Sequence, residues 1–391
     1  MPATWSRSER RVVAPGARRA DNDAGGRTGS GDRRDPRPTR GWAVARRSSW
    51  VQPRGDRRPS TRRASAGPAG RAPGPARPRC APTAADVDHA LGVERSVVIG
   101  WLGRGTLHMV RREDYRWLLA LTAPFQLTGT RRRLMQEGVG ADAAERAVGV
   151  FERALGSDGP LTRDELAERL TAAGIRSEGQ AMIHLLSLAA QRGVVVRGPV
   201  RSRARQAWAL ARDWLGEDLA TRLEGEARDL ALRELARRYL VAHGPASDAD
   251  LATWAGINLG DARAGLTAIA SELVERPDGL VELAGRTGRP STRARRLPPR
   301  LLGVFDPYLL GWKRRGFMLP SGNAHRVVPG GGLIRPVAIV DGLAAATWAA
   351  RRSGTEIAIS IDPLGPLSEE AAAALRVEAV DIARFEGREL R

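Results

Sequence analysis

Twice between residues 160 and 284 the chain runs through the same order of local signals, and this repetition restricts the possible folds more than any other feature. In "PLTRDELAERLTAAGI", Thr162 precedes Glu165 by three residues, the spacing of a capping box, and Gly174 ends the helix. "SEGQAMIHLLSLAAQRG" reads as a second helix over 177–191, closed by Gly193. "VVVRGPVRSRARQAWAL" then gives two apolar runs around a Gly198-Pro199 turn. The order returns further on. "EARDLALRELARRYLVAHGP" is a helix ended by Gly244-Pro245, and "SDADLATWAGI" has Ser247 as cap with Asp250 in the capping-box position. "NLGDARAGLTAIASEL" predicts a helix over 258–273, and "LVERPDGLVELAG" a hairpin about Asp278-Gly279.

Helix, turn, helix and two-stranded hairpin is the winged-helix layout. The expected fold is therefore mainly α with β, with tandem winged-helix domains at 159–215 and 226–290. The first hairpin carries Arg197, Arg201, Arg203 and Arg205, a charge pattern suited to phosphate contact. Upstream, 83–158 reads as a truncated first winged-helix domain. Thr83 caps a helix there, "REDYRWLLALTAP" stops at Pro124, and "ADAAERAVGVFERAL" buries Ala144, Val148, Phe151 and Leu155. From 296 to 391 short β-branched runs alternate with glycine turns. Strands are expected over 337–340, 345–349 and 356–361, with turns at Asp341-Gly342 and Ser353-Gly354. A helix begins after Ser368, so this part is expected to be a small β-barrel-like domain or a sheet closed by a helix.

Charge needs to be located before it is interpreted. The net charge is +19, but residues 1–80 hold 20 arginines against 6 acidic residues, so the remainder is only mildly basic. That first stretch, as in "RRPSTRRASAGPAGRAPGPARPRC", lacks apolar periodicity and cannot offset its chain entropy by burial. Two readings stand side by side for 1–82: a disordered basic tail that adds salt-dependent phosphate affinity, or an out-of-frame translation of GC-rich DNA. A GC-rich source also accounts for Lys313 being the only lysine among 63 basic residues. No apolar run is long enough for a membrane span. The single Cys80 and five scattered histidines offer no metal-ligand spacing, so neither a metal nor another cofactor is expected. The expected setting is the cytoplasm, at the nucleoid.

The stretch "WLGRGTLHMV…EDYRWLLALTAP", with "RRYLVAHGPASDADLATWAG", "FDPYLLGWKRR" and "RPVAIVDGLAAATW", resembles a bacterial family. It is the winged helix DNA-binding domain-containing family that includes the AlkZ/YcaQ DNA glycosylases. The likeness runs from about Thr83 to the C-terminus. It implies a monomer that binds double-stranded DNA carrying alkylated or crosslinked bases. It also implies a Gln-x-Gln or Gln-x-Asp catalytic motif upstream of Thr83. None is present: Gln52, the only glutamine there, has Arg54 two positions on. Catalysis is therefore an open expectation, and a winged-helix transcriptional regulator or non-catalytic DNA-binding module is the alternative.

Candidate residues follow from the chemistry. An extruded nucleotide needs donors around it and a positioned water. In "T-L-H-M-V" alternation would set Leu107 and Met109 on a core face and Thr106 and His108 toward a cleft. His108 and Asp306 are the catalytic candidates, with Asp306 as a local turn cap the competing assignment. Arg104, Thr106, Arg197, Arg201, Arg203, Arg205, Lys313 and Arg315 are the DNA-binding candidates. Trp312 is assigned to packing. Helices 177–191 and 258–273 stand in the recognition position, yet Glu178 and Asp261 would repel phosphate there. Backbone clamping is thus expected over major-groove reading.

Overall fold

A computed structural model describes residues 81–201, 205–285, 297–319 and 321–391. The two readings of residues 1–80 lie outside these, as does Arg203. The protein is a mixture of twelve α-helices and eleven strands in four sheets among the described residues. Helix α1 (Ala84–Gly92) starts with the Thr83–Asp86 capping box. Strands β1 (Val97–Leu102) and β2 (Thr106–Arg111) form a hairpin across a one-turn 3-10 segment, Gly103–Gly105. Then come α2 (Arg112–Gln136) and α3 (Ala141–Asp158).

The first repeat follows as α4 (Arg163–Ala172), α5 (Ala181–Gln191) and the antiparallel pair β3 (Val195–Arg201) and β4 (Arg205–Leu210). After the short α6 (Ala211–Leu215) the second repeat contains α7 (Gly225–His243), α8 (Asp248–Ala255), α9 (Leu259–Thr267) and the pair β5 (Leu273–Glu275) and β6 (Val281–Leu283). Both expected capping boxes are present, at Thr162–Glu165 and Ser247–Asp250. The last helix of each repeat is shorter than the sequence suggests. A turn occupies 178–180, and α9 gives way to a 3-10 turn at Ala270–Glu272.

The C-terminal part has β7 (Arg300–Leu302), α10 (Pro307–Leu310), α11 (Ala324–Val327), β8 (Val337–Val340), β9 (Leu343–Ser353), β10 (Glu356–Pro363), α12 (Glu369–Glu386) and β11 (Glu389–Leu390). Among the described residues its sheet order is β11-β10-β9-β8-β7, a ladder that keeps two edges and does not close on itself. The β8–β9 turn places Asp341 at φ 49 and Gly342 at φ 83, the positive pair that a type I′ turn requires. One face of the sheet packs on α12 through Ala338, Ala346, Trp348, Ile357, Leu375 and Ala379.

Helix α2 corrects the sequence reading. It passes straight through Pro124 instead of stopping there. A proline costs a helix one hydrogen bond and a clash with the preceding turn, but tertiary packing outweighs that cost here. Leu118, Leu119, Leu121 and Ala123 belong to a cluster shared with α7, α8 and α9. Leu134, on the far side of the proline, belongs to a second cluster shared with α3, α4 and α5. Burying both ends holds the helix across its weak point.

Under the first hairpin, Tyr115 is fully buried and its hydroxyl has no partner among the described residues. An unsatisfied buried hydroxyl costs more than its absence. Tyr115→Phe is therefore expected to raise the unfolding free energy by roughly 1 kcal/mol. Urea denaturation checks this, and a clear loss of stability would show that the hydroxyl has a bonding role.

Candidate functional site

The hairpin decides which residues can meet a ligand. Its register sets Val98 opposite Val110, Gly100 opposite His108 and Leu102 opposite Thr106. Directly opposed residues share a face, so Thr106 and His108 lie on the same face as buried Val98, Leu102 and Val110. That face turns toward α2: a Cβ at Gly100 would stand 2.3 Å from the Tyr115 hydroxyl. The other face carries Trp101, stacked on Trp208 at 5.3 Å. The expected division into an apolar face and a polar face is thus corrected. Polarity changes along the strand, from buried Val110 to exposed Thr106 at the turn, and Leu107 is 43% exposed instead of lying in the core. The tight turn lifts the end of the strand out of the interior.

At that end three groups converge. His108 Nε2 lies 2.8 Å from Thr106 Oγ1 and 3.2 Å from the Gly103 carbonyl oxygen. The Thr106 hydroxyl donates to the same carbonyl at 3.2 Å. Burial holds the imidazole down to about 4, and the positive charge of Arg104 acts the same way against the opposing hydrogen bond to Gly103. His108 is thus neutral near pH 7. With its proton on Nδ1, Nε2 accepts from the Thr106 hydroxyl, which then gives up its bond to Gly103; with the proton on Nε2, the ring and the hydroxyl both donate to Gly103. In the Nδ1–H tautomer the neutral ring offers Nε2 as a proton acceptor, and it becomes charged only on taking that proton.

Arg104 sits at the apex with φ 60 and ψ 12, a conformation costly for a side chain with a Cβ. Backbone packs on backbone there. A Cβ at Gly103 would come within 2.4 Å of the Ala255 carbonyl, and one at Gly256 within 2.4 Å of the Arg104 nitrogen. The end of α8 thereby fixes the turn. The Arg104 guanidinium reaches the Leu310 carbonyl at 3.5 Å, while Arg315 Nε donates to the neighbouring Leu309 carbonyl at 2.6 Å. Burial and the like charge of Arg315 lower the Arg104 pKa. The two guanidiniums are thus held on adjacent carbonyls of one segment, close enough for each to feel the other's charge.

The segment that carries Arg315 is stitched onto α7 and α8. The Trp312 indole donates to the His243 carbonyl at 3.0 Å, and the Tyr239 hydroxyl to the Gly311 carbonyl at 2.8 Å. The Lys313 backbone N–H donates to Asp250 Oδ1 at 2.9 Å, leaving the Lys313 side chain exposed. Trp312 packs edge-on to His243 and Phe317. Asp306 is buried at the start of α10, where Oδ1 accepts from the Tyr308 N–H at 2.8 Å; this is a capping geometry.

The remaining candidates lie apart from this cluster. Arg197 stacks over the Trp208 ring at 4.3 Å, and Arg201 is exposed at the end of β3. Arg205 lies in β4. On the recognition-position helices, Arg263 pairs with Asp248 at 2.7 Å and Asp261 with Arg228 at 2.5 Å. Two surface grooves of about 510 and 550 Å³ lie against α3 and the middle of α2; neither is lined by Thr106 or His108. The sequence reading missed Gln126, a buried glutamine of α2 behind Gly105, because it ended the helix at Pro124. The four-residue spacing of Thr122, Gln126 and Thr130 was the available signal.

Comparison with known proteins bears on this geometry. The structure matches that of the Streptomyces sahachiroi DNA glycosylase AlkZ with a TM-score of 0.58 and 26% identity, over 76% of this chain and 82% of that one. No curated protein matches the chain in sequence. A family model, DNA glycosylase AlkZ-like, matches residues 75–385, most of the chain. With its main motifs inside that span and its fold shared with a solved member, the chain belongs to the AlkZ-like DNA glycosylase family.

Proposed function

We propose that this chain binds duplex DNA and hydrolyses the N-glycosidic bond of alkylated or crosslinked bases, with Thr106 and His108 at the reacting centre. The observation that carries this reading is the 2.8 Å contact between the Thr106 hydroxyl and an imidazole held neutral. An alkylated purine is already positively charged, so it departs as a neutral base when the C1′–N bond breaks, and a strong general acid is dispensable. The sugar is left as an oxocarbenium ion. Water adds to C1′ and its proton passes to His108 Nε2, with Thr106 orienting the water. Arg104 and Arg315 hold a backbone phosphate, whose negative charge also stabilises the cation. Asp306 acts as a positioning residue by fixing α10, which presents the carbonyls that hold both arginines.

The two repeats, each a set of helices followed by a hairpin, serve as tandem winged helices that clamp the backbone. Arg197, Arg201 and Lys313 add phosphate contacts outside the centre, and Arg203 and Arg205 are further phosphate candidates by sequence. The ion-paired face of α9 supports this over base reading.

The test is incubation with duplex DNA containing N7-methylguanine or an interstrand crosslink. Released base or unhooked strands are the expected products. Their absence, together with a discrete footprint on a palindromic site, would favour the regulator instead. Affinity should also fall steeply with salt. Arg104→Gln is expected to reduce the slope of log affinity against log salt by about 1. An unchanged slope would remove Arg104 from the phosphate contacts.

A further inference from the structure

Helix α2 carries a buried polar stripe beneath the hairpin turn: Thr122, Gln126 and Thr130. The Thr122 hydroxyl is satisfied by the Leu118 carbonyl at 2.8 Å. Gln126 is only 9% exposed, and its Nε2 donates to the Thr122 carbonyl at 3.2 Å. That bond fixes the orientation of the carboxamide, because exchanging N and O would set two acceptors against each other. Its Oε1 is left buried with no hydrogen-bond partner among the described residues. A buried acceptor in that condition calls for a donor.

The direction in which it points is given by Gly105. A Cβ built there would stop 3.7 Å from Gln126 Oε1. The glycine therefore leaves space beside the oxygen, at the apex between Arg104 and Thr106. Buried polar sites of this kind hold ordered water when they are roomy enough and offer further polar partners. The Gly103 carbonyl and the Thr106 hydroxyl belong to the same turn. We infer that Gln126 is a positioning residue whose Oε1 accepts a hydrogen bond from a water molecule beneath the Gly103–Gly105 turn, on the hairpin face that carries Thr106 and His108. This rests on the proposed glycosylase reading only for the water's use; its presence is a property of the free protein. In the reaction that water supplies the oxygen that bonds to C1′, while its proton leaves toward His108 and the bond electrons of C1′–N leave with the base.

Gln191 supplies an internal control. It too is buried, bonds Ser187 Oγ through Nε2 at 3.0 Å and leaves Oε1 unpartnered, but it lies within α5, in the other core. Gln126→Met and Gln191→Met each remove the unpaired oxygen and keep the volume. Gln126→Met is expected to lower kcat for base release at least tenfold, with KM changed less than twofold and no fall in melting temperature. Gln191→Met is expected to leave kcat unchanged. Wild-type kcat in Gln126→Met would overturn the positioning role. A high-resolution crystal structure of the free protein decides the water itself: expected is one within hydrogen-bond distance of Oε1 that is lost in Gln126→Met, and a dry oxygen overturns the inference. If the wild type releases no base, the glycosylase reading fails, and the crystal structure still decides whether the water exists.

Discussion

His108→Ala is expected to slow base release from methylated duplex by ~10²–10³-fold, the usual cost of removing one preorganised polar group from a reacting centre. Little stability should go with it, because His108 is only half-buried near the end of the hairpin. The Thr106 hydroxyl keeps its bond to Gly103 when the ring is gone. The effect should therefore fall on kcat, with the melting temperature nearly constant. A pH profile separates a proton acceptor from a bystander. With its pKa held to about 4, His108 stays neutral and able to accept down to mildly acidic pH. Base release is then expected to be flat from pH 8 to pH 5 and to decline only toward pH 4. A midpoint near 6.5, that of an ordinary imidazole, would show that His108 is not the titrating group. A full rate in the alanine variant would remove it from the mechanism altogether.

The second large effect is on folding and involves His243. This ring is 4% exposed, stacked on Tyr239 at 5.1 Å and bracketed by Trp254 and Trp312. Burial, helped by the charge of Arg104, lowers its pKa from 6.5 to about 4. Above pH 6.5 the ring is neutral in both folded and unfolded chains, and its contribution to stability is fully present. As pH falls below 6.5 the unfolded chain binds a proton that the folded chain refuses. Stability then drops until the folded ring also protonates near pH 4. At ~1.4 kcal/mol per pKa unit the loss amounts to roughly 3 kcal/mol. Carboxylates add their own acid sensitivity, so the comparison needs His243→Phe, which keeps an aromatic ring and removes the titration. Urea unfolding at pH 7.5 and pH 4.5 should show a smaller difference in the variant than in the wild type. Equal differences would mean that His243 is protonated in the folded state.

Much of the architecture could be read from local chemistry. The capping residues Thr83, Thr162 and Ser247 each bond the backbone that their spacing predicts. Asp341-Gly342 makes the tight turn that two positive φ values demand. What local chemistry could not reveal was set by distant parts of the chain. Pro124 reads as a stop because a proline breaks an isolated helix, and only the two clusters gripping α2 reverse this. Thr106 and His108 read correctly as neighbours, but their face depends on the register with β1 and on Tyr115 behind Gly100. The Arg104–Arg315 pair joins residues more than two hundred positions apart through the carbonyls of α10, a contact that no periodicity announces. Gln126 was concealed by the same proline that disguised its helix.

The placement of α2 also bears on how this protein can be cut into pieces. Its first half is shared with α7–α9 and its last turns with α3–α5, so a break anywhere along it strips apolar surface from two neighbourhoods at once. A minimal version cannot be obtained by lifting out one repeat. A piece that keeps both halves of α2 covered has to include α3–α5 as well as α7–α9, and one lacking either set would enter solvent with a greasy flank and a tendency to clump.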